Sequence, residues 1–282
     1  MRFVKPYPIN SSPLVLIEEI LRKEREGLAA KTLLSLLYPP SLCYGLGVKL
    51  RNLLYDKGTL RQEKCKALVV SVGNVVAGGT GKTPFILMLA KKLMQEMPLA
   101  ILSRGYLGAS ENKGQSTQVA QDGSALQFGD EPLLLAQNLD KASVYVGKDR
   151  VKSAHKAVEQ GAKVILLDDG MQHRRLHRDI EIVMVHGKDP FHGGRYLPGG
   201  LLRDDPKQLK RADYIISSGG PVNLSRWTKA PVIEIKNAFR EVVFADGSTK
   251  SSLKGCKVAL FAPFLTLKDS LKAFKIKPKL LL

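Results

Sequence analysis

Ala67-Leu-Val-Val-Ser-Val-Gly-Asn-Val-Val-Ala-Gly-Gly-Thr-Gly-Lys-Thr-Pro84 reads as strand, loop and helix in immediate succession. The Val-rich start favours extended backbone. Gly78, Gly79 and Gly81 free the chain to curl, so that the backbone N–H groups of Val76, Ala77, Gly78, Gly79, Thr80 and Gly81 can surround phosphate oxygens. Lys82 would neutralise β/γ-phosphate charge, and the Thr83 hydroxyl would hold Mg²⁺. Pro84 opens the following helix, where its missing N–H costs nothing. The strict phosphate-loop pattern has Gly where Val76 stands, so this is a variant loop, closer to the Gly-Gly-x-Gly-Lys-Thr type of some ATPases. A Gly-rich turn after any strand is the plain structural alternative. Gly-Lys-Thr set between a strand and a helix argues for a nucleotide instead.

Outward from this loop, short apolar runs alternate with helical segments. Strands are expected at Ala67–Val72, Leu99–Leu102, Ser143–Val146, Lys163–Leu167, Ile180–Val185, Tyr214–Ser217, Val232–Ile235 and Val258–Phe261. Helices are expected at Pro84–Met97, Glu131–Leu139 and Asp149–Gln160. The polar, glycine-containing stretch Gly108–Gly129 reads as a loop or small hairpin at the active edge. The expected fold is therefore α/β, a mostly parallel P-loop NTPase-type sheet flanked by helices. The organisation is an N-terminal helical segment over 1–62, a P-loop core over 63–220 and a C-terminal partial α/β region over 221–282.

In 282 residues, 44% apolar and 25% charged, there is enough material for a full core and nothing fibrous or disordered. Cys43, Cys65 and Cys256 show no paired spacing, which excludes a disulfide framework or a Cys-based zinc site and fits a reducing compartment. Lys and Arg number 44 against 26 Asp and Glu, a net charge of +18, which attracts anionic surfaces and phosphorylated ligands. Aromatics are 6% and no zinc-finger or RNP-like segment occurs, so nucleic acid is not the expected partner. The N-terminus has no signal-peptide pattern. From Thr32 to Val48 no charge appears, but Pro39-Pro40 interrupts the run, and it is short of the roughly 20 apolar residues of a spanning helix. Leu33, Leu34, Leu36, Leu37, Leu42, Leu46, Leu50, Leu53 and Leu54, flanked by Lys31, Lys49 and Arg51, suit a helix lying on a membrane or packed on the domain.

Two acidic motifs complete the chemistry. Val164-Ile-Leu-Leu-Asp168-Asp169-Gly170 is a buried-strand run ending in two carboxylates, where a P-loop enzyme holds Mg²⁺. Adjacent side chains at a strand end point opposite ways, so one carboxylate would serve the metal and the other a structural hydrogen bond. Gly129-Asp130-Glu131-Pro132 offers Asp130 to orient or deprotonate an acceptor hydroxyl, with helix capping as its structural alternative.

Ser71-Val-Gly-Asn, Gly78-Gly-Thr-Gly-Lys-Thr-Pro84, Ser103-Arg-Gly-Tyr106, Gly129-Asp-Glu-Pro132 and Asp168-Asp-Gly-Met-Gln-His173 come in order. Leu176-His-Arg-Asp-Ile-Glu181 and Arg195-Tyr-Leu-Pro-Gly-Gly-Leu-Leu-Arg-Asp204 extend the pattern. Together they resemble the tetraacyldisaccharide 4′-kinases of lipid A synthesis. The resemblance implies ATP and Mg²⁺ as cofactors, and transfer of the γ-phosphate to the 4′-hydroxyl of a tetraacylated glucosamine disaccharide 1-phosphate, giving lipid IVA. It also implies peripheral association with the cytoplasmic face of the inner membrane. By the same resemblance Asp130 is the catalytic aspartate beside Lys82, while Thr83, Asp168 and Asp169 are metal-associated. Asp204 stands where the family has Glu and would be a shorter metal-associated carboxylate. Family members carry a supporting histidine in a longer C-terminal part; here His192 is the last histidine, so that part is expected to be shortened. His155, His173, His177 and His186 share no metal-ligand spacing.

The rival reading is a P-loop ATPase or GTPase switch of the metal-insertion or partitioning type. It is opposed by Ala77 in place of the usual Lys and by the absence of a guanine-reading Asn-Lys-x-Asp. A relative that binds ATP without transferring phosphate is the third reading.

Overall fold

The computed structural model describes residues 20–21, 27–105, 108–109 and 116–236, and the backbone of 242–243 and 249–250. The strand expected at Val258–Phe261 lies outside the described residues.

Strand β1 (Leu68–Gly73) leads through the glycine-rich loop into helix α2 (Lys82–Glu96) and on to β2 (Leu99–Ser103). There follow β3 (Thr117–Gln118), the short α3 (Ala125–Phe128), α4 (Asp130–Asn138), β4 (Ala142–Val146), α5 (Arg150–Glu159) and β5 (Val164–Asp168). Strands β6 (Ile180–His186), β7 (Tyr214–Ser218) and β8 (Val232–Ile235) close the sheet, whose order is β3-β4-β2-β5-β1-β6-β7-β8. All neighbours are parallel except β3 on β4. Strands β2 and β5 are buried at every position, because helices cover both faces, and so they read as unbroken apolar runs. Alternation divides β1 between the two layers. Val70 and Val72 pack with Phe85 and Ile86 of α2, whereas Val69 packs with Val151 and Ala154 of α5. Strand β8 pairs with β7 in the same sheet, so the sheet continues past the boundary expected at residue 220.

β1 and β6 are neighbours whose onward chains part, β1 toward β2 and β4, β6 toward β7 and β8. The crevice at the carboxyl ends of two such strands is where open α/β sheets take ligands.

An N-terminal helix, α1 (Leu28–Asp56), precedes the sheet. The Pro39-Pro40 pair was expected to interrupt the apolar run, but the helix passes through it. Two prolines remove the N–H groups that would bond the carbonyls of Ser35 and Leu36, and both of those residues are exposed. The hydroxyls of Thr32, Ser35 and Ser41 donate back to the carbonyls of Leu28, Lys31 and Leu37. Ser41, Gly45, Val48 and Asn52 recur at helical spacing and are buried against the domain. On the far side Leu42, Leu46, Leu50 and Leu53 are 50%, 67%, 57% and 48% exposed. Among the described residues no helix is long and apolar enough to cross a membrane.

Candidate active site

The phosphate loop turns at Gly78 (φ +106°) and Gly81 (φ +82°), conformations that L side chains rarely adopt. Gly78, Gly79 and Gly81 are exposed, whereas Thr80 is buried and its hydroxyl accepts from Asn74 Nδ2 at 3.2 Å. Val76 owes its place to packing: it lies in an apolar cluster with Met171, Val183 and Leu202 and bridges to Leu202. The N–H of Ala77 already donates to the carbonyl of Leu201 at 2.7 Å. The Ala77 N–H, expected among the phosphate ligands, is thus committed to Leu201, and the Val76 side chain helps to anchor the base of the loop whose tip runs from Gly78 to Thr83.

Two layers of carboxylate face this loop. Asp168 closes β5 in full burial and accepts a hydrogen bond from Ser103 Oγ at 2.9 Å. Burial, then the charges of Asp169 and Glu131, push its pKa up to about 6. Asp169 takes the left-handed conformation (φ +52°), which turns its carboxylate toward Lys82 Nζ (3.5 Å) and the Arg203 guanidinium (2.7 Å). Burial opposes its ionisation, yet Lys82 and Arg203 outweigh burial and hold it below the ordinary aspartate range. Arg150, buried at the start of α5, donates to the carbonyls of Gly147 and Asp168, both at 3.2 Å, and fixes the backbone of the turn.

Thr83, in the first turn of α2, donates its hydroxyl hydrogen to Glu131 Oε1 at 3.3 Å. That contact brings the start of α4 to the phosphate loop. Asp130, the preceding residue, is exposed and begins α4; the capping position is Gly129, so Asp130 sits in the first turn instead of capping it.

Mg²⁺ asks for oxygen ligands, commonly one or two carboxylates with waters and substrate phosphates. Among the described residues no group of three His, Cys, Asp or Glu side chains could hold a metal ion alone. A hydroxyl, a buried carboxylate short of compensating charge and the Oδ1 of Asp169, which has no hydrogen bond and faces Lys82 Nζ at 3.5 Å, do fit a cation shared with phosphate.

Asp204 does not join this group. It is fully buried, accepts from Asn52 Nδ2 (2.7 Å) and its neighbour's N–H (2.9 Å), and lies 3.8 Å from Arg51 and 3.7 Å from Arg211. Consecutive side chains diverge: Arg203 reaches Asp169 while Asp204 turns beneath α1. The metal-associated place expected for it is corrected to a structural one that holds α1 on the domain.

Ser103, Glu131, Arg150 and Arg203 were given no role by sequence reasoning. Ser103, Glu131 and Arg203 stand inside the quoted motifs beside assigned residues, while Arg150 carries no local signal. His173, next to the turn, is driven down to about 4 by burial and then by the Arg150 charge.

The family model described as Tetraacyldisaccharide-1-P 4'-kinase matches residues 33–264. A Tetraacyldisaccharide 4'-kinase of Chlamydia abortus is 42% identical over 208 residues, 70% of this chain and 56% of that protein. One of Syntrophus aciditrophicus is 45% identical over 193 residues, 65% of this chain and 50% of that protein. Among solved structures, LpxK from Aquifex aeolicus in complex with ATP is 36% identical, with a TM-score of 0.69 over 79% of this chain and 70% of that one. The chain spans about half the length of the curated relatives it matches.

Proposed function

The chain belongs to the tetraacyldisaccharide-1-P 4'-kinase family, and we propose that it transfers the γ-phosphate of ATP to the 4′-hydroxyl of a tetraacyldisaccharide 1-phosphate. The observation that carries this reading is the convergence, at the carboxyl ends of β1 and β5, of Lys82, Thr83, Asp168 and Asp169 with α4, which begins at Asp130.

The N–H groups from Gly78 to Thr83 bind the phosphates, and Lys82 leaves Asp169 to neutralise the β/γ oxygens. Thr83 and Asp168 would hold Mg²⁺, with Asp169 beside them; the bound ion would draw the phosphates into line and offset charge as the γ-phosphoryl leaves. Arg203, which pairs with Asp169, is placed to follow the same phosphate charge. Exposed and one residue from the Thr83 contact, Asp130 accepts the proton of the attacking hydroxyl and aims its oxygen.

The acceptor is a lipid, so the site must work at a membrane. We place the outer face of α1, with Leu42, Leu46, Leu50 and Leu53, on the cytoplasmic surface of the inner membrane, where the +18 net charge favours anionic headgroups. Helix α1 is then the membrane-facing element, and the kinase core runs from residue 63 through β8 at Val232–Ile235. Flotation with anionic vesicles should recover the protein, and Leu46→Glu with Leu50→Glu should leave it in solution.

The deciding experiment is transfer of radiolabelled phosphate from ATP-Mg²⁺ to the tetraacyldisaccharide 1-phosphate in detergent micelles. Lys82→Ala and Asp130→Ala are each expected to lower the rate by about 10² or more. Normal transfer by Lys82→Ala sinks the mechanism, and hydrolysis of ATP that ignores the lipid favours a nucleotide switch.

A further inference from the structure

At the amino ends of β6 and β7, the far end of the sheet from the phosphate loop, a pocket of about 180 Å³ opens beside the start of β6 and the 3₁₀ turn Pro206–Arg211. Three arginines line it, Arg174, Arg178 and Arg211, together with the carboxylates of Glu181 and Asp213. Arg174 is 6% exposed, and the side chains of Arg178 and Arg211 are 7% and 14% exposed. Guanidinium groups buried to this degree require partners for their N–H donors.

Arg178 has a full set. Its Nε pairs with Glu181 Oε2 at 2.8 Å, while Nη1 and Nη2 donate to the carbonyls of His173 and Met171 at 3.0 and 3.5 Å. Arg174 gives Nη1 to the Asn52 carbonyl at 3.1 Å and Nη2 to Asp56 at 2.8 Å, but its Nε has no acceptor. Arg211 is poorer still: Nη2 donates to the Met171 carbonyl at 3.4 Å and lies 3.7 Å from Asp204, and both Nε and Nη1 lack an acceptor. The nearby carboxylates do not supply the shortfall, because each is engaged. Glu181 also accepts from Ser71 Oγ at 2.6 Å, and Asp213 accepts the Glu181 N–H at 2.7 Å. Asp204 holds Asn52, Asp56 is shared by Arg174 and Lys210, and Asp179, beside His177 of the pocket wall, accepts the Val69 N–H. Burial accordingly pulls Arg211 down to about 10, with Glu181 opposing the fall and Arg178 adding to it.

We propose that this pocket is a second anion site, separate from the phosphate loop, in which the unpaired N–H donors of Arg174 and Arg211 take the oxygens of a phosphate group. Guanidinium donors from two residues suit an acceptor that carries several oxygens around one centre, and arginine favours phosphate for that reason. Size narrows the class. At roughly 30 Å³ per water, the pocket holds an oxyanion of five heavy atoms with a water beside it and is too small for a nucleotide. The ligand is therefore orthophosphate itself or the phosphate end of a monoester.

The test is calorimetric titration of the full chain with orthophosphate and, separately, with glucose 1-phosphate, the phosphate loop being filled beforehand by the β,γ-methylene analogue of ATP with Mg²⁺. Binding of either ligand at one site per chain is expected, and the tighter of the two identifies the source as free ion or ester; binding of neither overturns the site. Arg211→Gln should weaken phosphate by about tenfold or more, the worth of hydrogen bonds to a charged group. Asp213→Asn keeps an oxygen for the Glu181 N–H, removes a negative charge from the pocket wall and should tighten phosphate by roughly threefold. Phosphate affinity that ignores both substitutions means that the arginines serve only the fold, and overturns the proposal. Should Arg211→Gln fail to fold, Asp213→Asn decides, since unchanged or weakened binding contradicts an anion in this pocket.

Discussion

Asp168 is a carboxylate whose burial the metal-free fold resists, so replacing it should stabilise the protein while ending its chemistry. Its pKa is raised from 3.8 to about 6, and each unit is worth about 1.4 kcal/mol. Ionised Asp168 therefore costs the fold about 3 kcal/mol at neutral pH. Asp168→Asn removes the charge and keeps an oxygen for the Ser103 hydroxyl. It also buries an amide NH₂ with no assured partner, at about 1 kcal/mol. The net gain is about 2 kcal/mol, on the order of 5 °C in Tm for a chain of this size. The sign follows from linkage. The folded pKa lies above the unfolded one, so the penalty is absent below about pH 4, grows between 4 and 6, and is complete above 6. In EDTA, urea unfolding at pH 7.5 should favour Asp168→Asn by about 2 kcal/mol, and at pH 4 the order should reverse by about 1. His173 titrates in both proteins and cancels in the difference. An Asp168→Asn protein no more stable than its parent at pH 7.5, or a gain that survives at pH 4, refutes the argument.

His173 has the opposite sign: with its pKa driven from 6.5 to about 4, its contribution is intact above pH 6.5 and about 3 kcal/mol is lost as pH falls to 4. The slope should appear most clearly in the metal-free Asp168→Asn background and flatten when His173→Asn is added, as urea midpoints would record. Asn52→Ala strips the 2.7 Å bond from Asp204, leaves that carboxylate buried with less support and should cost about 2–4 kcal/mol in urea unfolding. Gly73→Ala would put a Cβ 2.6 Å from Met171 Cβ and 2.8 Å from its backbone nitrogen. Such overpacking costs about 1–3 kcal/mol, and scanning calorimetry should find a lowered Tm together with weaker ATP binding, because the Asp168–Asp169 turn must shift.

The strands β1, β2 and β4 to β8 were legible in the sequence to within about two residues, since parallel strands covered on both faces leave continuous apolar runs; the two-residue antiparallel β3 at the edge leaves no such run. The phosphate loop was legible because its glycines and Lys82 are local. Three features were not. Pro39-Pro40 reads as a break, yet the carbonyls it orphans are exposed, so the helix tolerates it. Val76 and Ala77 look like phosphate ligands by position, but the Leu201 carbonyl of a strap distant in sequence takes the Ala77 N–H, and the Val76 side chain packs against Leu202. Asp204 shares a motif with Arg203, and only the tertiary fold decides that one turns to Asp169 and the other to Asn52. A pattern gives residue order, and long-range partners give direction.

That strap explains why an apolar helix and a phosphate loop belong in one rigid unit. Ser41 Oγ of α1 accepts from the Gly199 N–H at 2.8 Å, and Tyr44 donates to the Arg203 carbonyl at 3.2 Å. At Gly45 the ring of Tyr196 lies so close that an added Cβ would stand 2.6 Å from Cδ2, a seat that any larger residue would force open. From the strap, the Leu201 carbonyl holds Ala77 and the Arg203 guanidinium holds Asp169. One short segment thus fixes the outer leucines of α1 relative to Gly78 and Lys82. A kinase joining a water-soluble nucleotide to a lipid hydroxyl needs its phosphate loop at a constant height above the bilayer, because a displacement of about 1 Å at a reacting centre can cost on the order of a hundredfold in rate. On the proposed orientation, Gly45→Leu should therefore leave ATP binding nearly unchanged and depress lipid phosphorylation. An equal loss of both would mean that the strap serves the nucleotide loop alone.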